Sequence, residues 1–153
     1  MKTILVPVDL SPSSKKISAA ARAFADRIGG RIVLLHVMQP PPVVANEYNA
    51  VDAAQLAVVL SAGKKFGTRK LTQLAAQVAR RGHPVKTIHE TGVPGTVILD
   101  RAKSLKADYI VLGSHGHGAL YDLVVGSTAH DVLKNAPCPV LVIPSAPAKR
   151  KRK

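Results

Sequence analysis

The chain has 153 residues, 46% of them hydrophobic, with one cysteine and a formal net charge of +13. That length suits one domain with a proper core, the lone Cys138 excludes an intramolecular disulfide framework, and no apolar stretch is long enough to span a membrane. Aromatic residues make up only 3%, so Val, Leu, Ile and Ala must build the core.

Met1, Lys2 and Thr3 lead straight into strand-like sequence, unlike a secretory signal. With a single cysteine, this suits a reducing cytoplasm. Residues 4–8 are a nearly continuous apolar run, as in a strand covered on both faces. Asp9 ends the run, and Ser11 and Pro12 are expected to supply an N-cap and a first-turn proline. Ile17, Ala20, Ala21, Phe24, Ala25 and Ile28 then fall on one helical stripe, which Gly29 and Gly30 stop. Residues 31–37 read as a second buried strand.

Pro40, Pro41 and Pro42 open an irregular loop to about residue 48. Behind it Leu56, Leu60, Gly63, Gly67, Leu71, Leu74 and Val78 share one helical face. The two glycines there allow either close approach of a neighbour or a bend. Arg80, Arg81 and Gly82 are expected to close this helix. Residues 85–90 form a third strand, more polar and nearer an edge. Gly92, Val93, Pro94 and Gly95 lead to a third helix carrying Val97, Ile98, Ala102 and Leu105.

Residues 109–112 are a short apolar run rich in β-formers, a buried strand. Gly113, Gly116 and Gly118 follow, then Gly126 and Ser127 open a helix patterned by Ala129, Val132, Leu133 and Ala136. A strand, a glycine loop and a helix start in that order can make an anion site, because backbone N–H groups approach phosphate closely there. The P-loop pattern is absent, and the dinucleotide fingerprint fails because Tyr121 stands where its third glycine belongs. Val140–Ile143 is a last strand, apolar on both faces, and its Cys138 neighbour reads as a buried structural thiol. Residues 147–153 read as a basic disordered tail after a domain of residues 1–146. The tail's last five residues carry five positive charges, leaving +8 on the body. Strands alternating with helices imply an α/β fold, a parallel sheet with helices on both faces and ligands at the strands' carboxyl ends.

Gly113, two residues, Gly116, nine residues, then Gly126 and Ser127 resembles the ATP-binding signature of the universal stress protein family. The likeness extends over residues 2–144, through Pro7, Val8 and Asp9, Leu34 to Val37, Gly92 to Pro94, and Ala136 to Val140. It implies a single-domain, open, Rossmann-like sheet of five parallel strands in the order 3-2-1-4-5, and a homodimer. An uncovered Val140–Ile143 edge strand would pair with a second copy.

By that resemblance Asp9 would bond ribose or adenine, and Pro7, Val8 and Val37 would line the adenine pocket. Leu112 would lie against the nucleoside. Gly113, Gly116, Gly126, Ser127 and Thr128 would hold ribose and phosphates, with Ser114, His115 and His117 in the same loop. Mg²⁺ or Mn²⁺ could accompany the phosphates. His117 stands where Arg or Lys is common and Thr128 where Val is common, and the basic balance is unusual for the family. Asp9 is expected to serve the ligand and not the fold.

His115 and His117 flank Gly116, and His36 and His89 fall near one sheet edge, but without a carboxylate or thiolate at set spacing no metal is assigned. The run from Ser114 to His117 also resembles a nucleotidyltransferase motif, but that motif follows the first strand, where this chain has Asp9 and Leu10 instead. No nucleophile with a paired base is evident, so no catalytic residue is assigned. The expected function is therefore an ATP-binding stress-response or signalling module, at most a slow ATPase. The alternative is a basic interaction protein that binds nucleic acid or another polyanion.

Overall fold

The computed structural model describes residues 1–40, 53–79, 84–114 and 125–144. The glycine-loop residues His115, Gly116 and His117, the helix-closing Arg80, Arg81 and Gly82, and the basic tail lie outside the described residues. In chain order the elements are β1 (Lys2–Pro7), α1 (Ser13–Ile28), β2 (Gly30–Met38), α2 (Ala53–Val78), β3 (Val85–Thr91), α3 (Pro94–Ser104), β4 (Tyr109–Gly113), α4 (Ser127–Asn135) and β5 (Val140–Ile143).

The strands form one parallel sheet in the order β3-β2-β1-β4-β5. The sheet grows from β1 to β2 to β3, and the chain then crosses back to lay β4 on the other side of β1. Successive right-handed crossovers running in opposite directions put their helices on opposite faces. The two halves of the core show this. Ile4, Val6, Ile32 and Leu34 pack with Ile17, Ala21 and Ala25 of α1 and Leu71 and Leu74 of α2. Leu5, Val33, Leu35 and Ile110 pack with Ile98 and Ala102 of α3 and Ala129 and Val132 of α4. Ile4, Leu5 and Val6 have no exposed surface, as a strand read from an unbroken apolar run should have none.

Gly29 ends α1 in the left-handed region at φ +67, where a Cβ would be strained. α2 is one continuous helix, and its glycines serve close approach. A Cβ on Gly67 would stand 2.5 Å from His89 Cε1, and one on Gly63 would stand 2.9 Å from Met38 Sδ. The stripe read on α1 is buried or half-buried, but Ser14, Ser18 and Arg22 are buried beside it. Arg22 is only 4% exposed and pairs with Asp26 at 2.8 Å. Leu133, counted on the inner stripe of α4, is 44% exposed, because a nine-residue helix at the sheet's end covers only Ala129 and Val132. At the opposite end of the sheet the Asp108 carboxylate accepts the Thr3 N–H at 2.8 Å and the Lys2 ammonium at 2.9 Å, which fixes β1 beside β4.

Candidate functional site

The sheet order reverses between β1 and β4, and a crevice opens beyond the carboxyl ends of the strands on either side of such a point. A cleft of about 660 Å³ occupies that position. This is within the usual size for small-molecule sites, roughly 300–1,000 Å³.

Pro7, Val8 and Asp9 follow β1 into the cleft, Val37 comes from β2, and Leu112 and Gly113 come from β4. Gly126, Ser127 and Thr128 close the opposite wall. All nine were singled out in the sequence. Ser114 lies at the base of the glycine loop: its N–H donates to Ile143 O at 3.0 Å, and its carbonyl accepts from Gly126 N–H at 3.0 Å. The loop therefore leaves and re-enters at one point, which brings Gly113 and Gly126 to the same end of the cleft.

Gly126 has φ −59 and ψ 156, a conformation open to any residue. Nothing in its backbone requires glycine, and the residue lines the cleft. α4 begins next, and its first three N–H groups, on Ser127, Thr128 and Ala129, have no partner within the helix. No side chain caps this end, and no acidic residue lies in its first turn. α3 also starts at the cleft, with Pro94 and Ile98 in the wall and no acid in its first turn. Two helix N-termini thus direct partial positive charge at one cleft, a setting for an anion. Much of the remaining lining is aliphatic, from Val8, Ile17, Leu35, Val37, Ile98 and Leu112, and suits a flat apolar ring.

Asp9 does more than line the cleft. Its Oδ1 accepts the Ser11 N–H and the Ser14 hydroxyl, each at 3.0 Å. Between them Leu10 is held at φ +61, a costly region for a branched side chain. This corrects two expectations. Ser11 does not cap α1 through its side chain: Pro12 occupies the cap position, and the Ser11 hydroxyl instead meets the Ser13 hydroxyl at 2.7 Å. The Asp9 carboxylate has taken over the task of ordering the helix start, so Asp9 serves the fold as well as the cleft.

Ile17, Leu35, His36, Met38, Gln39, Pro94, Ile98 and Ala129 also line the cleft and were not among the nucleotide-site candidates, although the sequence had placed His36 near a sheet edge. The β-sheet register could have suggested His36 and Met38, because the carboxyl end of β2 lies beside that of β1. Burial pushes the His36 imidazole down to about 4, helped by the neighbouring His89 and opposed by Asp9, so it is neutral at pH 7. Cys138 is half-buried rather than fully buried, and burial followed by the Asp108 charge raises its thiol, in keeping with an unreactive side chain. Among the described residues no group of three or more His, Cys, Asp or Glu gathers at one point, and no helix is long and apolar enough to cross a membrane.

Comparison with known proteins adds an independent line. The family model described as "Universal stress protein family" matches residues 1–144. A universal stress protein of Thermus aquaticus is 32% identical over 142 residues, covering 93% of this chain and 98% of the relative. The solved universal stress protein UspA from Lactobacillus plantarum superposes with a TM-score of 0.78 at 32% identity, over 93% of this chain and 97% of its own. A more distant structure, the universal stress protein from Archaeoglobus fulgidus in complex with dAMP, shares the fold with a TM-score of 0.64 at 20% identity, over 94% and 98% of the two chains. The strand order, the glycine spacing and the family match over nearly the whole chain agree: the chain belongs to the universal stress protein family.

Proposed function

We propose that the cleft binds one adenine nucleotide, ATP in the first instance, and that the protein acts as a nucleotide-dependent stress-response or signalling module. The observation that carries this reading is the pairing of an aliphatic wall with two uncapped helix N-termini in one cleft at the sheet's switch point. Adenine would lie toward Val8 and Val37 with Leu112 beneath the nucleoside, and ribose near Asp9. The triphosphate would run from Gly113, Ser114, His115, Gly116 and His117 across to Gly126, Ser127 and Thr128. Aliphatic side chains cover a purine, a carboxylate accepts from ribose hydroxyls, and helix-start amides take phosphate. The dAMP complex of the Archaeoglobus fulgidus relative supports an adenine nucleotide in this fold. Mg²⁺ or Mn²⁺ would bind through the phosphates, since such ions often take most of their ligands from substrate and water. Hydrolysis would be slow or absent, because the sequence offers no nucleophile with a paired base. We further propose a homodimer through Val140–Ile143, where Leu141 is 38% exposed on the edge strand, and a cytoplasmic setting for residues 1–146 with a solvated basic tail.

A second reading rests on α2. Its 26 residues include Lys64, Lys65, Arg69 and Lys70 and no Asp or Glu. Phe66 is 52% exposed, with the Arg69 and Lys70 cations 5.8 and 5.7 Å from its ring centre. A basic face with a stackable ring suits nucleic acid. Mass spectrometry of ligand released from protein purified at low salt separates the two readings. A stoichiometric adenine nucleotide supports the first; co-purified RNA or DNA without nucleotide supports the second and overturns the first.

A further inference from the structure

Beneath α2, on the sheet face away from α3 and α4, two imidazoles meet. His36 of β2 and His89 of β3 are register partners, with ring centres 4.8 Å apart and planes inclined by 46°. They are too tilted to stack and do not hydrogen-bond to each other. His36 Nδ1 and His89 Nε2 are both buried without a hydrogen-bond partner. A buried polar atom left unpaired is costly, so two side by side call for an explanation.

Both orphan atoms converge on one spot. A Cβ on Gly67 would stand 3.0 Å from His89 Nε2 and 3.3 Å from His36 Nδ1. The missing side chain is what lets both rings approach the helix. The other nitrogen of His89, Nδ1, lies 3.0 Å from Thr68 Oγ1. With the Nδ1 proton donated to that hydroxyl, Nε2 keeps its lone pair and its aim, as a metal-binding imidazole does when its remote nitrogen is fixed. Burial lowers the pKa of both rings; at His36 the neighbouring His89 adds to it and Asp9 opposes it, while at His89 the Lys64 charge adds to it and a hydrogen bond to the Lys64 backbone opposes it, so both rings are neutral at neutral pH. Met38 stands two residues past His36 on the same face of β2, its thioether sulfur against Gly63, one turn of α2 from Gly67.

We propose that His36 Nδ1 and His89 Nε2 bind one Cu(I) ion beneath Gly67, with the Met38 thioether as a third, softer donor. The donor set selects the ion. No further His, Cys, Asp or Glu joins the pair among the described residues, so a four-coordinate Zn²⁺ site is incomplete. Imidazole with thioether suits monovalent copper, which accepts two or three ligands. His36 and Met38 also border the cleft, but the nucleotide reading assigns no contact to either, so the copper assignment does not rest on it.

The test is anaerobic Cu(I) titration against a chromogenic chelator, using the full chain in a Cys138→Ser background so that the one thiol cannot capture the ion. One Cu(I) per chain is expected. His36→Gln and His89→Gln should each lose at least about tenfold in affinity, Met38→Leu less, and Thr68→Val about tenfold through loss of the orienting contact. Long-range ¹⁵N spectra of the otherwise unmodified Cys138→Ser protein give a readout that does not depend on the variants folding. Cu(I) should shift His36 Nδ1 and His89 Nε2 ahead of the other four histidines. Overturning results are no Cu(I) retained at micromolar chelator, undiminished binding in both histidine variants, or shifts confined to other histidines.

Discussion

Asp9 is the residue whose substitution most clearly separates fold from ligand binding. Asp9→Ala removes the acceptor for the Ser11 N–H and the Ser14 hydroxyl, both at 3.0 Å. Ser14 is 2% exposed, so its hydroxyl cannot simply turn to water. Each hydrogen bond to a charged group contributes about 1.5–3 kcal/mol, and partial relaxation of the turn brings the expected total loss to about 2–4 kcal/mol. The same turn holds Leu10 at φ +61, and freeing Leu10 returns about 1 kcal/mol of that loss. Asp9→Asn keeps an amide oxygen in the Oδ1 position and should cost only about 1 kcal/mol. Urea denaturation of ligand-free protein measures both variants, and nucleotide titration then compares them at matched folded fraction. Asp9→Asn should fold well and bind nucleotide more weakly, and Asp9→Ala should fail on both counts. Asp9→Ala with an unchanged urea midpoint would refute the argument that this carboxylate builds the helix start.

Gly63→Ala and Gly67→Ala should differ in sign although both add helix propensity. Gly63→Ala meets only the flexible end of Met38 and should be neutral or gain up to about 1 kcal/mol, whereas Gly67→Ala drives a Cβ into His89 Cε1 at 2.5 Å and should lose about 1–2 kcal/mol. Equal urea midpoints for the two variants would count against the close-packed reading. His36 has a native pKa of about 4, below its unfolded value, so the native state binds fewer protons. Stability should be full above about pH 6.5 and fall as pH drops toward about 4, with roughly 1 kcal/mol lost near pH 5 after allowance for the ring's partial exposure. His36→Gln should flatten that slope in urea midpoints, and an identical slope would be evidence against it. Leu141→Lys should yield monomer by light scattering if Val140–Ile143 pairs two copies, and a monomeric unmodified protein would reject the dimer.

Much of the fold was legible because its signals are local. The unbroken apolar run of residues 4–8, the left-handed stop at Gly29 and the proline at the start of α3 each act within a few residues. The place of Gly113, Gly126 and Ser127 at the cleft was legible for a related reason, since a strand, a glycine loop and a helix start carry their own pattern, whereas Pro7, Val8, Asp9, Val37, Leu112 and Thr128 were placed there by the family resemblance. The double duty of Asp9 was not, since an Asx-type turn and a ligand carboxylate look alike in sequence. Nor was the burial of Ser14, Ser18 and Arg22, whose polarity hides them from any hydrophobic stripe. The meeting of His36 and His89 depends on the β2–β3 register, which alternation within one strand cannot fix. In the sequence Gly67 left open whether a neighbour approaches α2 closely or the helix bends.

The most direct test of the nucleotide reading is calorimetric titration of ATP into ligand-stripped protein, beside the Gly126→Val variant. Gly126 sits in a backbone conformation that valine adopts freely, so the variant should fold normally while filling the cleft beside the start of α4. One ATP per chain with a dissociation constant below about 1 mM, lost in Gly126→Val at an unchanged melting temperature, is the predicted result. No binding at about millimolar ATP, or equal binding by the variant, would contradict it.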